Sequence, residues 1–438
     1  MLDFSQYHFV GVAGVGMSAV AQAVGFGGCA VTGSDRHCDQ GVPVPVLDKL
    51  AKAGIRLFPQ DGSGIADGAE AVVVSTAIES DNPDLIAAAE RGLPVLHRSE
   101  VLAQLVANQT CVAVAGTSGK STVTGMVGWI LEQAGLDPCV VNGAPVTNWR
   151  NADCIGNARK GRGELWVIEA DESDRSLLNY APAYAVITNM SADHFGLEET
   201  VSLFKQFRSK VECQCIGALD APTYLTGLAP EVTASSSCFS YEGVTFELPL
   251  PGLHNVEDAL HAAKLCQCVG VSLQQSADAL AVFGGIHRRL EVVGTAAGVS
   301  VFDDYGHNPA KIAAAWKAVV PFARRGIVIW RPHGYGPLRA MLDDLTEMFS
   351  QLCSPDDLLL LLPVYDAGGT ANRSIDSGAL AERLAGRGVP VLCVSSHDEA
   401  IAIASRESES GDAIIVMGAR DPELPALARR IVTRRRRK

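Results

Sequence analysis

What this chain lacks narrows its class first. No stretch approaches about 20 uninterrupted apolar residues, so no membrane-spanning helix is expected. The amino terminus, Met-Leu-Asp-Phe-Ser, has no basic region ahead of an apolar core, so no secretory signal is expected either. Positive charge is scarce. The 36 Lys and Arg stand against 49 Asp and Glu, a net charge of −13, which argues against a general nucleic-acid surface. The tail from Arg434 to Lys438 is the local exception, a basic cluster that reads as a solvated, disordered end. None of the 12 cysteines stands in a Cys-x-x-Cys pair, and the Cys213/Cys215 and Cys266/Cys268 pairs lack zinc-site spacing. They are expected to be reduced thiols of a cytoplasmic protein. There is no internal repeat, and no low-complexity segment apart from the basic tail.

What is present is an alternation of apolar strand-like runs with helical patterns, over a length that suits two or three domains. The segment from Cys111 to Thr122 says most. Strand-forming Val112 and Val114 lead into the turn Gly116, Thr117, Ser118, Gly119, then Lys120, Ser121 and Thr122, and an apolar helix-compatible run follows. A glycine turn opening a helix presents N–H groups to phosphate oxygens, a lysine adds a point charge, and a hydroxyl can reach Mg²⁺. An ATP site is therefore predicted. The general pattern wants a glycine at position 114, where this chain has Val114, so the shorter Gly-Thr-x-Gly-Lys-Ser form is present.

The first hundred residues read as a parallel unit. His8 to Val12 forms a strand, Gly14 to Met17 turns into a helix, and Ala30 to Thr32 is a second strand ending in Gly33-Ser-Asp35. Gly11-x-x-Gly14-x-Gly16 resembles a dinucleotide fingerprint without its spacing, and Asp35 lies about twenty residues on, where such folds bind a ribose. A nicotinamide dehydrogenase is thus an alternative, although it leaves Lys120 without a task. Further on, the strand Leu165 to Ile168 ends in Glu169-Ala-Asp-Glu-Ser-Asp174, and Tyr184 to Ile187 ends in Thr188-Asn-Met-Ser-Ala-Asp-His194. Polar residues at strand C-termini are where open α/β sheets place their sites.

These motifs, with Ser75-Thr-Ala-Ile78, Asp81-Asn-Pro83, Gly252-Leu-His-Asn255, Arg288-Arg289, Asp303-Asp-Tyr-Gly-His307 and Pro332-His333, follow one another as they do in the Mur ligases. The chain resembles that family along nearly its whole length, and most resembles the branch that adds L-alanine or murein tripeptide. The resemblance implies an α/β protein of three domains. These are a Rossmann-like UDP-sugar-binding domain over 1–108, a central P-loop ATPase-type domain over 109–292, and a C-terminal Rossmann-like α/β domain over 293–438 for the amino acid. It implies an ATP- and Mg²⁺-dependent ligase of peptidoglycan synthesis. The enzyme would join a UDP-muramyl carboxylate to an amino acid, L-alanine foremost, through an acyl phosphate. It would act in the cytoplasm as a monomer or homodimer, with no nucleic acid and no membrane insertion.

By the same resemblance, Lys120 stabilises the β/γ-phosphates, and Ser121, Glu169 and His194 hold magnesium. Asn255 takes adenine, Asp304 the ribose, and Arg289 a phosphate. Gly14, Gly16 and Ser34 hold UDP, and His307 and His333 line the place where amine meets acyl phosphate. On residue chemistry alone, the Glu169–Asp174 stretch could be a solvated acidic loop, though its place at the end of an apolar strand favours a site, and Asn255 could cap a helix. The chain departs from the family at Ser118, which replaces His, at Ser121, which replaces Thr, and at Phe195-Gly196 after His194. After His333 the family's Arg-Tyr-x-Arg-x-Arg becomes Gly334-Tyr-Gly-Pro-Leu-Arg339, and the stretch between Tyr241 and Pro251 is shortened. A guanidinium fork cannot be replaced by Gly or Pro. Two alternatives follow from this: a ligase with a different carboxylate or amine, and a nucleotide-binding homologue that does not ligate.

Overall fold

A computed structural model describes residues 2–39, 44–191, 195–217, 227–366 and 372–436. The chain forms two compact units. The first spans Met1–Ala229 together with Phe239–Glu247 and Val256–Gly285; the second takes Pro230–Cys238, Leu248–Asn255 and Ile286–Lys438. Among the described residues, no helix is long and apolar enough to cross a membrane.

Two of the sheets lie wholly in the first unit. One is wholly parallel, in the spatial order Arg56–Phe58, Ala30–Ser34, Gln6–Val10, Ala71–Val74, Val95–His97. The other runs Gln214–Gly217, Tyr184–Ile187, Thr110–Ala115, Leu165–Glu169, Cys139–Val141, with Ala158–Arg159 antiparallel at its edge. Parallel strands covered by helices are buried on both faces and read as continuous apolar runs, as Thr110–Ala115 does. One apolar cluster joins both sheets, from Phe9 and Val20 through Leu102 to Trp166, Ile168 and Phe204.

The second unit is built on a sheet in the order Glu291–Ala296, Val299–Asp304, Ala413–Met417, Gly326–Trp330, Leu358–Leu361, Val391–Cys393. All neighbours are parallel except the first pair. The period-2 alternation of strands divides its side chains between two cores. Val328, Trp330, Leu361 and Met417 face one cluster, and Ile327, Ile329, Leu360 and Val416 face the other.

Element ends differ from residue patterning: the first strand is Gln6–Val10, two residues earlier than the expected His8 to Val12, while the helices run longer. The first helix is Val15–Phe26, and the helix after Pro251 spans Leu253–Cys268, starting before Val256. The basic tail departs from its reading as a disordered end. Leu424–Arg436 is one helix, and Arg435 is only 7% exposed. Its guanidinium donates to the carbonyls of Ser405 and Ser408 and to the Ser408 hydroxyl, at 3.2, 2.7 and 2.7 Å. Those carbonyls close the helix His397–Glu407, whose C-terminal end attracts a cation. Burial of the charge is therefore matched by acceptors that the next helix back leaves open.

Candidate active site

The strand Thr110–Ala115 delivers the chain to the phosphate loop, and the helix Lys120–Gln133 carries it away. Gly119 caps that helix at φ +82°, a conformation that favours glycine. A Cβ there would also lie 2.6 Å from Asp258 Oδ1. Gly116 is as constrained, since its Cβ would meet the Thr188 hydroxyl at 1.9 Å. The loop is held from the next strand. Thr117 N donates to Asn189 O at 3.1 Å, Ser118 N to Asn189 Oδ1 at 3.0 Å, and Thr188 Oγ1 to Ser118 O at 2.6 Å. The Thr188-Asn189 pair at the end of Tyr184–Ile187 is thus a brace for the loop.

Lys120 Nζ donates to Gly116 O at 2.8 Å and lies 2.5 Å from Glu172 Oε2. Burial pushes the Glu172 carboxyl up even with the ammonium beside it, and its Oε1 has no hydrogen-bond partner. Burial also acts against Asp171, yet Lys120, the Ser173 amide and hydroxyl, and Arg98 hold that carboxyl below its ordinary value. Asp258, pressed against Gly119, is pushed well up by burial reinforced by Glu257.

A cavity of about 270 Å³ opens beside this loop within the first unit. Its walls come from both halves of the unit: Gly14 to Met17 at the helix start and Arg98 on one side, Asn142, Gly143, Glu169 and Asp171 on the other. Glu169 Oε2 accepts from Gly143 N at 2.8 Å. Asn142 Nδ2 donates to Ser121 O at 3.0 Å, leaving Asn142 Oδ1 buried without a partner. Arg98 Nη2 reaches Asp171 Oδ2 at 3.4 Å and Asp174 Oδ2 at 3.1 Å. Gly14, Gly16 and Glu169 therefore share one concavity; Lys120 does not line it, and its charge reaches the lining through Asp171, whose carboxyl it holds down.

Ser34 does not face that cavity. It is wholly buried, and its hydroxyl donates to Asp84 Oδ2 at 2.5 Å. Asp35, the candidate ribose ligand of a dehydrogenase, is spent on its own turn. It accepts from Ala13 N at 2.9 Å and from His37 N at 3.1 Å. His194, expected to hold metal, lies outside the described residues. The Gly143, Asn142, Arg98 and Asp258 contributions have no local sequence pattern.

In the second unit, Asp304 Oδ2 accepts from Leu290 N and Oδ1 from Gly306 N, both at 2.7 Å. Burial pushes its carboxyl up against those hydrogen bonds. Arg289 lies over the Tyr305 ring at 5.7 Å. Asn255 sits inside the helix Leu253–Cys268, not at its cap, and donates to Pro251 O at 2.6 Å. His307 and His333 meet with ring centroids 5.0 Å apart. Burial, then His307 and Arg420, depress His333 to about 4.

Fold and site together define an α/β enzyme with a lysine-bearing phosphate loop set beside an acidic strand end. Comparison with known proteins narrows this class. Residues 6–110 match the Mur ligase family, catalytic domain; residues 114–210 the Mur ligase middle domain; and residues 288–420 the Mur ligase, glutamate ligase domain. The UDP-N-acetylmuramate–L-alanine ligase of Sinorhizobium medicae (strain WSM419) is 34% identical over 453 residues, covering 94% of this chain and 93% of that protein. Its counterpart in Synechococcus sp. (strain JA-2-3B'a(2-13)) is 34% identical over 445 residues, covering 95% and 90%. The crystal structure of the UDP-N-acetylmuramate-alanine ligase of Thermotoga maritima superposes with a TM-score of 0.79 at 25% identity, covering 98% of each chain. A murein peptide ligase of Psychrobacter arcticus 273-4 shares the fold, with a TM-score of 0.63 at 21% identity over 99% of each chain. The chain belongs to the Mur ligase family.

Proposed function

We propose that this protein is an ATP- and Mg²⁺-dependent ligase of cytoplasmic peptidoglycan synthesis that joins the carboxylate of UDP-N-acetylmuramate to L-alanine. The observation that carries the reading is one concavity lined by Gly14 to Gly16 at the start of a helix and by Glu169 and Asp171, the last of these held down by the charge of Lys120. A nucleotide-sugar pyrophosphate suits the glycine turn at the start of the helix Val15–Phe26. ATP phosphates suit the loop Gly116 to Thr122. The buried, unpartnered Glu172 Oε1 and Asn142 Oδ1 fit a site that awaits polar groups.

The reaction asks little covalent chemistry of the protein. A carboxylate oxygen attacks the γ-phosphorus, ADP departs, and the amine then displaces phosphate from the acyl carbon with loss of a proton. Lys120 shifts from Glu172 to the transferring phosphoryl oxygens and neutralises charge there. Ser121 and Glu169 offer the hard oxygen donors that Mg²⁺ prefers, and the ion, when bound, screens the phosphate charge. His194 completes that set by family resemblance. Asn255, Arg289 and Asp304 are assigned to the nucleotide, and His307 and His333 to the acceptor side. The boundaries 1–108, 109–292 and 293–438 are the domain division we assign.

The missing arginines at Gly334 and Pro337 favour, as a second reading, a homologue that binds nucleotide without ligating. ADP release with UDP-N-acetylmuramate and a panel of amino acids, with mass spectrometry of the product, separates the two. Release that requires L-alanine supports the proposal, and nucleotide binding without release for any amine sinks it.

A further inference from the structure

In the second unit, Val299–Asp304, Ala413–Met417 and Gly326–Trp330 are adjacent and parallel, so the loops that follow them leave the sheet at one edge. Those loops carry His307, Arg420 and His333. A Cβ built on Gly334 lies 3.9 Å from Nη1 of Arg420, so the guanidinium stands beside the residue that lacks a side chain. Arg420 is exposed and makes no hydrogen bond or ion pair with any described residue. Its neighbours at this edge are engaged: Arg288 with Asp303, Arg331 with Asp421, and Arg339 with the Ser374 hydroxyl. His333 Nδ1 is buried and has no partner.

From this arrangement we infer that Arg420, with His333 beside it, binds the carboxylate of the incoming amino acid, supplying from another strand the guanidinium that Gly334 cannot. The inference rests on the ligase reading for the identity of its ligand. A free guanidinium at the C-terminal edge of an open parallel sheet is placed where such folds take anions. Its planar fork matches a carboxylate bidentately. The imidazole depressed to about 4 is neutral at working pH, so His333 adds a hydrogen bond and no second charge. One fixed cation with a neutral imidazole suits a monoanionic carboxylate better than a phosphate dianion.

The test is a steady-state comparison of wild type, Arg420→Ala and Arg420→Lys with L-alanine and with alaninamide, which lacks the carboxylate. Arg420→Ala is expected to raise KM for L-alanine roughly 10- to 100-fold, the range for losing a hydrogen bond to a charged group. kcat and KM for ATP should stay within about twofold, and the preference for L-alanine over alaninamide should collapse. Arg420→Lys should recover part of the loss. An unchanged KM with the preference intact overturns the proposal. A second readout keeps this separate from the ligase reading. The histidine ring signals of ¹³C-labelled protein are titrated with L-alanine in the absence of ATP, His333 being assigned from His333→Gln. A saturable shift in wild type that is lost in Arg420→Ala supports the site even if no amine yields ADP. The absence of a shift in wild type overturns it. Because Arg420 is exposed, its removal leaves the core untouched.

Discussion

Replacing Gly143 by Ala isolates the task assigned to Glu169. Gly143 N donates to Glu169 Oε2 at 2.8 Å, and a Cβ at this position would lie 2.5 Å from Oε1 and 2.6 Å from Oε2. Relaxed non-bonded contact needs about 3.5 Å, so the carboxylate must retreat by about 1 Å. Gly143 is not among the residues with positive φ, so the backbone accepts alanine and the perturbation falls on the carboxylate alone. Over-packing of this kind costs roughly 1–3 kcal/mol, and the partial exposure of Glu169 puts the stability loss at the low end. Function should suffer more. A misplacement of about 1 Å at a reacting centre can cost about 100-fold, and disturbing the support of a metal ligand typically costs 10- to 100-fold in metal affinity. Gly143→Ala is expected to lower kcat for ADP release by about 100-fold and to raise the Mg²⁺ concentration for half-maximal rate by about 10-fold or more. Fluorescent-nucleotide binding without Mg²⁺ should be unchanged, because the phosphate loop is not touched. Adding Glu169→Asp withdraws the carboxylate by one methylene, so the double variant should lose less than the sum of the singles. Wild-type Mg²⁺ dependence in Gly143→Ala would refute the assignment of Glu169.

Three further outcomes are expected. Lys120→Ala should reduce ADP formation by about 1,000-fold or more. It also removes the ammonium from buried Glu172, whose carboxyl burial already pushes up. A raised acid contributes stability at pH below its unfolded value and loses it as pH rises through the folded one, so the denaturant midpoint of this variant should fall more steeply than wild type as pH rises above the ordinary carboxylate range. His333 titrates near 4 in the fold against an ordinary 6.5, so the unfolded chain binds its proton first and stability falls as pH drops from about 6.5 towards 4. His333→Gln should flatten the midpoint-against-pH slope in that window, and an unaltered slope would show that the imidazole is not held neutral. Arg435→Ala strips three charge-assisted hydrogen bonds from the end of the helix His397–Glu407 and should cost about 2–3 kcal/mol of the second unit's stability, read by urea denaturation with ADP release unaffected.

Much of the fold was legible because its signals are local. Apolar runs such as Tyr184 to Ile187 and Ile327 to Trp330 are strands where their composition places them. The glycine turn at Gly116 to Gly119 is legible for the same reason, since a left-handed residue opening a helix leaves a mark in a few consecutive positions. Element ends moved by one to three residues, outward for the helices and two residues back for the first strand, because capping and sheet register decide the boundary. The site was less legible wherever a partner is distant in the chain. Arg98 and Asp174 are separated by 76 residues, Gly143 and Glu169 by 26, and Gly119 meets Asp258 on a different helix. Ser34 is assigned to UDP by resemblance alone, and that its hydroxyl donates to Asp84, 50 residues on, is visible only in the fold. Arg435 read as a solvated charge because its neighbours in sequence are charged, while the carbonyls that bury it belong to Ser405 and Ser408.

The sequence by itself determined the order of strands and helices, the family, and the chemical groups available: one lysine on a glycine loop, carboxylates at strand ends, two histidines, and a single arginine in the six residues that follow His333. Periodicity, turn chemistry and motif order are properties of neighbouring residues, and they survive without coordinates. The tertiary structure alone decided which of those groups meet. Sheet order set Glu169 against Gly143, and Arg420 against the bare Gly334, because adjacency across parallel strands is fixed by packing and hydrogen-bond register rather than by distance along the chain.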